Sequence, residues 1–95
     1  MEEKILTKNP DKTMIGRRID KEKYDAIRKA IIKTLSSGKT LTHIQLQNSV
    51  IKLVKRDFSG SIPWYHQVVK RDLEAKKIIK RITKGTPHLY ELARK

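Results

Sequence analysis

The feature that most constrains the fold of this chain is a change in the period of its apolar residues between positions 62 and 92. As far as about residue 76 the apolar residues recur every three or four positions, which predicts an amphipathic helix. From "KIIKRI" onward apolar and polar residues alternate, "TKGTP" supplies turn residues, and "HLYEL" alternates again. This second pattern predicts a two-stranded hairpin, so the chain combines helix and antiparallel sheet in the α+β class.

Two further helices are predicted before this segment. Asp20 is a good N-cap for the first helix, and Gly38 suits the position just after its end. The buried face of that helix is expected to hold Tyr24, Ile27, Ala30, Ile31 and Leu35. After a short extended piece in "KTLTH", Thr42 and Gln45 form a capping-box pattern that opens the second helix. Its buried stripe is expected to hold Leu46, Val50, Val54 and either Ile51 or Leu53.

The third helix is capped by Ser61 or Ile62 and has Pro63 in its first turn, where a missing N–H costs nothing. Its core face is expected to hold Ile62, Tyr65, Val69 and Leu73, with the stem of Lys76 beside them. Ninety-five residues make one domain. We place a partly ordered N-terminal arm at residues 1–19 and the folded domain at residues 20–95.

The net charge narrows the choice of partner. The chain has 23 Lys and Arg against 10 Asp and Glu, a formal charge of +13, which is expected to attract a polyanion. DNA, RNA, an anionic membrane and an acidic protein all fit, and a basic but passive surface is the alternative. Apolar runs are three residues or shorter and the first ten residues lack an apolar signal region, so we expect no membrane-spanning segment and no secretory signal. The absence of Cys fits a reducing compartment, and we expect a cytoplasmic location.

The residues that carry catalysis in other proteins are scattered here, and we expect no enzyme. His43, His66 and His88 fall on three different predicted elements, so no metal site is supported. The glycines are isolated at positions 16, 38, 60 and 85, so there is no phosphate-binding loop. We expect no cofactor and no small-molecule ligand.

The segment "DLEAKKIIKRI" resembles the L-E-x-x-G-L-I pattern found where the recognition helix of many winged-helix transcription regulators meets the wing. The match lies on Leu73, Glu74, Ile78 and Ile79. In addition, "IDKEKYDAIRKAII", "LTHIQL" and "GSIPWYHQVVKRDLEA" resemble a family of small uncharacterised bacterial winged-helix proteins. The resemblance implies a three-helix winged helix-turn-helix fold with a short first strand and a C-terminal β-hairpin wing.

One residue departs from the resembled pattern. Lys77 stands where the pattern has Gly, and a left-handed Lys costs on the order of 1 kcal/mol relative to Gly. Either the turn between helix and wing is built differently in this chain, or the domain tolerates the strain.

The resemblance also implies a mode of DNA binding. The third helix, about residues 62–76, would enter the major groove, and the wing, about residues 78–92, would lie on the backbone. Gln67 and Arg71 would read base edges, since Gln pairs with adenine and Arg with guanine. Gly85 would let the tip of the wing approach closely. The phosphate contacts implied are Lys70, Lys80, Arg81 and Lys84.

Each of these residues also has a structural interpretation. The lysines fit an ordinary solvated face. Trp64 either stacks on a sugar or base, or covers a dimer partner, or packs against the second helix, and packing is the interpretation we favour. Asp72 and Glu74 weaken the positive potential of the third helix, and Glu74 is expected to pair with Lys70 or Lys77.

The function predicted from the sequence is a DNA-binding module that acts as a transcription regulator, with duplex DNA as its partner. Binding to structured RNA stays open, as does a protein–protein module of the same fold. In the latter the third helix or Trp64 would meet an acidic partner or a second copy of the chain in a homodimer.

Overall fold

The structure is a computed structural model that describes residues 4–7, 18–38, 40–56, 58–85 and 87–93. Along the described chain the elements are β1 (Lys4–Leu6), β2 (Arg18–Asp20), α1 (Lys21–Leu35), β3 (Leu41–Thr42), α2 (His43–Val54), α3 (Ile62–Ala75), β4 (Ile79–Ile82) and β5 (Leu89–Leu92). From α1 to β5 this is the predicted order of helix, short strand, helix, helix and hairpin. The α+β class with three helices and a β-hairpin wing is therefore confirmed.

Helix α1 supplies the largest share of the core. All five residues of its predicted stripe are buried. Asp20 occupies the N-cap position, but its side chain makes no capping hydrogen bond and instead pairs with Lys4 of β1. This ion pair, assisted by Lys23, lowers the pKa of Asp20. The carboxylate therefore links the start of α1 to the N-terminal strands.

Helices α2 and α3 begin as their sequences predict. The Gln45 amide donates to Thr42 Oγ1 at 3.1 Å, and the Thr42 amide donates to Gln45 Oε1 at 3.0 Å, which completes the capping box of α2. Ser61 caps α3 by accepting a hydrogen bond from the Trp64 amide at 3.3 Å, and Pro63 lies in the first turn. In both helices, capping side chains thus accept hydrogen bonds from backbone N–H groups at the N-terminal end.

The three-stranded sheet has the order β3-β5-β4, and both pairings are antiparallel. In the hairpin Ile79 pairs with Leu92 and Ile82 with Leu89, while in the short ladder Leu41 pairs with Tyr90. Strand β5 thus lies between the other two. The hairpin is joined to the helical part through β3, which directly precedes α2.

The core lies between the three helices and the sheet. Its fully buried apolar side chains come from α1, α2, α3 and β4; they are Ile27, Ile31, Leu35, Leu46, Val50, Val69, Leu73 and Ile79. Of the predicted core face of α3, Val69 and Leu73 are buried, whereas Ile62 and Tyr65 are partly buried. His66 and Asp72 are fully buried as well, which the apolar period did not predict.

The turn after α3 decides between the two interpretations of Lys77. Its φ is +62°, so the turn has the left-handed geometry and the Lys accepts it. The Ile78 amide donates to the Leu73 carbonyl at 2.9 Å and the Lys77 amide to the Glu74 carbonyl at 3.0 Å. These two bonds are a Schellman motif, which ends α3 and turns the chain into β4.

The N-terminal region contains two strands that the sequence analysis did not predict. Within the predicted arm, residues 1–19, the structure describes only residues 4–7 and 18–19. Strand β1 pairs antiparallel with β2, so that Ile5 lies opposite Ile19, and Ile19 is buried in the core. The remainder of the predicted arm lies outside the described residues. In the part of the chain that the structure describes, no helix is long and apolar enough to cross a membrane.

Candidate nucleic-acid interface

The outward face of α3 carries the residues predicted to read bases. Trp64, Gln67 and Arg71 are spaced three and four positions apart, so they follow one side of the helix opposite Val69 and Leu73. Gln67 is exposed and Arg71 is partly exposed. The structure therefore brings these three side chains to one surface.

Trp64 contacts one neighbouring ring and remains partly exposed. The indole retains 43% of its surface, and its ring meets Tyr65 edge-to-face with centroids 4.9 Å apart. Tyr65 in turn contacts Phe58 at 5.3 Å between centroids and has the Lys23 ammonium 5.1 Å from its ring. Although packing was the favoured interpretation, this cluster orients Trp64 without covering it, and much of the indole stays available to a partner.

Lys70 is not on this surface. It is only 6% exposed, and its Nζ lies 4.0 Å from the centroid of the Tyr90 ring. The reason is its position directly after Val69, at the flank of the core face, where the alkyl stem is buried and the ammonium finds an aromatic ring. In this conformation Lys70 joins α3 to β5 and is unsuited to be the exposed phosphate ligand that the sequence suggested.

The carboxylate of Asp72 is withdrawn from the surface. Its side chain is fully buried, accepts a hydrogen bond from the Tyr24 hydroxyl, and pairs with Lys76 Nζ at 3.0 Å. Lys76 Nζ also donates to the Tyr24 hydroxyl at 3.1 Å. Burial and the hydrogen bond to Asp72 raise the pKa of Tyr24. Burial disfavours the charged Lys76, but its two partners outweigh this and raise its pKa. The group is a polar link between α1 and α3, and it removes one negative charge from the outward face.

Glu74 has a different partner from the two expected. It lies 3.6 Å from Arg81 Nε of β4, and only 11% of its side chain is exposed. The pair joins α3 to the wing, and it neutralises the second carboxylate of the helix.

The wing presents the remaining predicted residues to solvent. Lys80, Arg81, Lys84 and Gly85 are all exposed, and Arg81 is the member already paired with Glu74. Gly85 has a φ of +82° with nothing near the position of a Cβ, so the tip is open on that side. The backbone at the tip can thus be approached closely.

Two histidines lie where α2 begins beside α3. His66 is fully buried, and neither ring nitrogen has a hydrogen-bond partner. Its ring is 4.9 Å from that of His43. Burial, with the nearby His43 and Lys70, lowers the pKa of His66 to about 3. Burial also lowers the pKa of His43, helped by Lys70 and Arg71. This corner is therefore kept free of additional positive charge at neutral pH.

Side chains able to bind a metal ion are dispersed over the described residues. No group of three or more His, Cys, Asp or Glu could hold a metal ion among them. An open groove of about 360 Å³ lies between the start of α2 and the start of β5, with no charged side chain in its wall; it is lined by Thr42, His43, Ile44, Pro87, His88 and Tyr90. Exposed cations lie just after the end of α3 and along the wing, next in the chain to the helix that carries Trp64, Gln67 and Arg71.

Fold and surface together define a small basic domain of three helices and a wing. The chain belongs to DUF6958, a family of unknown function, whose model matches residues 4–90. No curated protein and no solved structure matches the chain. The resemblance to winged-helix transcription regulators therefore stays a prediction.

Proposed function

We propose that this chain is a DNA-binding module that acts in transcription regulation, with α3 in the major groove and the wing on the backbone. One observation carries the proposal. In the described residues from 58 to 93 the carboxylates are Asp72, Glu74 and Glu91, and none of them is exposed. Over the same residues five cations are exposed; they are Lys76, Lys77, Lys80, Arg81 and Lys84. A segment whose exposed charges are cations and whose carboxylates are withdrawn from solvent favours a polyanion.

The roles that we propose for these residues follow from which side chains reach solvent. Gln67 and Arg71 on α3 have the chemistry to pair with adenine and guanine edges. Lys80 and Lys84 on the wing would neutralise phosphates, and Gly85 would bring the tip close to the backbone. Trp64, which contacts Tyr65 in a T-shaped arrangement, would stack on a sugar or a base.

The test is a fluorescence-polarisation titration with random-sequence duplex DNA at about 50 and about 200 mM salt. We expect micromolar affinity that falls steeply with salt, with a log–log slope of about −5 for six neutralised phosphates. Arg71→Ala/Lys84→Ala should weaken binding, and the loss of Lys84 should reduce the magnitude of the slope by about 0.9, the value for one phosphate. A selection from random duplexes would then test whether binding is specific for sequence.

The matched control is Lys29→Ala/Lys33→Ala, which removes the same charge from exposed positions on α1. If this control weakens binding as much as Arg71→Ala/Lys84→Ala, the duplex is attracted by net charge alone and the assignment to α3 and the wing is wrong. Retained affinity with a weak salt slope would contradict the proposal as a whole. Competition by structured RNA at equal salt separates the two kinds of nucleic acid.

The exposed indole supports a second candidate, a protein–protein module. Trp64 is 43% exposed at the start of α3, beside the half-buried Tyr65, and exposed Trp is enriched among residues that dominate protein interfaces. Sedimentation of the chain alone, with Trp fluorescence followed against concentration, tests self-association. A salt-insensitive dimer that is lost in Trp64→Ala would favour this candidate over DNA binding.

A further inference from the structure

Lys77 adopts a backbone conformation that its side chain does not favour. It is the only non-glycine residue with positive φ in the part of the chain that the structure describes, at +62°. For an L-residue this conformation is unfavourable, because its Cβ comes too close to the following carbonyl oxygen. Backbone strain of this kind persists where something else benefits from it, and it concentrates at functional positions.

The fold itself does not use the Lys77 side chain. The end of α3 is capped by backbone groups, with the Lys77 amide on the Glu74 carbonyl at 3.0 Å and the Ile78 amide on the Leu73 carbonyl at 2.9 Å. Any residue other than proline, glycine included, offers the same backbone N–H. The side chain is exposed and makes no ion pair or hydrogen bond with the described residues. Its ammonium is therefore available to bind a partner from solvent.

Two other cations near the corner between α3 and the wing, unlike Lys77, are paired within the domain. Lys76 is committed to Asp72 and Tyr24, and Arg81 is paired with Glu74. Lys77 and Lys80 are the exposed cations of this corner that lack such partners among the described residues. They stand where the helix ends and the first wing strand begins, between the two parts of the candidate interface.

We propose that Lys77 is a phosphate ligand of the bound nucleic acid, and that the strain of its left-handed backbone is retained to hold an ammonium at the corner between α3 and the wing. The proposal rests on the proposed function. In this proposal Lys77 strengthens binding of the nucleic acid and at the same time lowers the stability of the folded domain. That opposition makes it testable, because most substitutions that impair a binding residue leave stability unchanged or lower it.

The experiment compares Lys77→Gly and Lys77→Arg with the wild-type chain, in thermal unfolding and in the duplex titration. We expect Lys77→Gly to raise Tm by about 2–6 °C, since relief of strain exceeds the added entropy of glycine in the unfolded chain. It should also weaken duplex binding about three- to tenfold and reduce the magnitude of the salt slope by about 0.9, the value for one phosphate. Lys77→Arg keeps both charge and strain, so it should bind as the wild-type chain does and gain no stability.

The outcomes separate this inference from the function it rests on. A wild-type chain that does not bind duplex DNA overturns both. A wild-type chain that binds, with Lys77→Gly equal to it in affinity and slope, overturns the role of Lys77 alone. A lowered Tm for Lys77→Gly also contradicts the inference, because the ammonium would then be stabilising the end of α3 through the helix dipole.

Discussion

At the scale of single residues, His66 makes the fold sensitive to acid. It is fully buried without a hydrogen-bond partner, and its pKa falls from 6.5 to about 3. The folded chain keeps the imidazole neutral, whereas the unfolded chain protonates it below about pH 6.5. The stability that the neutral His66 contributes is therefore fully present above about pH 6.5 and is lost progressively as the pH falls toward 3. The free energy of unfolding should fall by up to about 1.4 kcal/mol for each pH unit in this window.

Urea unfolding of wild-type chain and His66→Phe at about pH 7.5 and about pH 5 measures this contribution. Phe keeps a ring against His43 but takes up no proton. We expect the wild-type chain to lose more stability than the variant on acidification. An equal loss in both would mean that other groups, His43 among them, account for the effect of acid.

At the scale of elements, the pair between Glu74 of α3 and Arg81 of β4 couples the helix to the wing. Glu74 is largely buried, but Arg81 is exposed and the two groups lie 3.6 Å apart, so the pair contributes about 0–1 kcal/mol to stability and its loss should hardly affect Tm. Its loss should affect duplex binding more than stability. Without the pair, Arg81 can bind a phosphate, and the interface loses the negative charge of Glu74. We expect Glu74→Gln to tighten duplex binding about two- to fivefold and to steepen the salt slope.

Glu22→Gln is the matched control in the same titration, since it makes the same change of charge on the exposed first turn of α1. A gain in affinity common to both variants would reflect net charge. Only an excess for Glu74→Gln would show that the pair with Arg81 restrains the wing.

The secondary-structure elements were the feature of the fold that could be predicted best from the sequence, and the structure explains why. The stripe of α1 and the capping boundaries of α2 and α3 depend on local spacing, which the sequence displays directly. The strands β1 and β2 are three residues each and carry too few positions for a pattern to be recognised. Their pairing depends on a contact between distant residues.

The candidate site was predicted in outline but not residue by residue. Helical period gave the direction of Gln67 and Arg71 correctly, because they lie opposite the core. It failed for Lys70, His66 and Asp72 because α3 packs against both α1 and α2, which buries a wider arc than the apolar residues mark. A buried polar residue carries no signal in hydropathy. Only its partners, such as Tyr24 for Asp72, account for its position.

At the scale of the whole molecule, the charge of +13 acts on stability as well as on binding. Like charges repel one another more when the chain is compact, and salt screens that repulsion. We expect Tm to rise between about 20 and about 200 mM sodium chloride, before any specific ion effect. Lys29→Gln/Lys33→Gln, which lowers the charge at exposed positions of α1, should show a smaller rise. A Tm that falls with salt would mean that attractive pairs such as Lys21–Asp25 outweigh the repulsion.

The strand order has a consequence for how the chain is made. Strand β5 lies between β3 and β4, although it is synthesised after both. On the ribosome the helices and the first half of the hairpin emerge while the two outer strands still have no neighbour to pair with. The link from Leu41 to Tyr90 closes only when residues 89–92 have left the exit tunnel. Until then β4 follows α3 without its partner strand, so the three-stranded sheet is the last part of the described domain that can form.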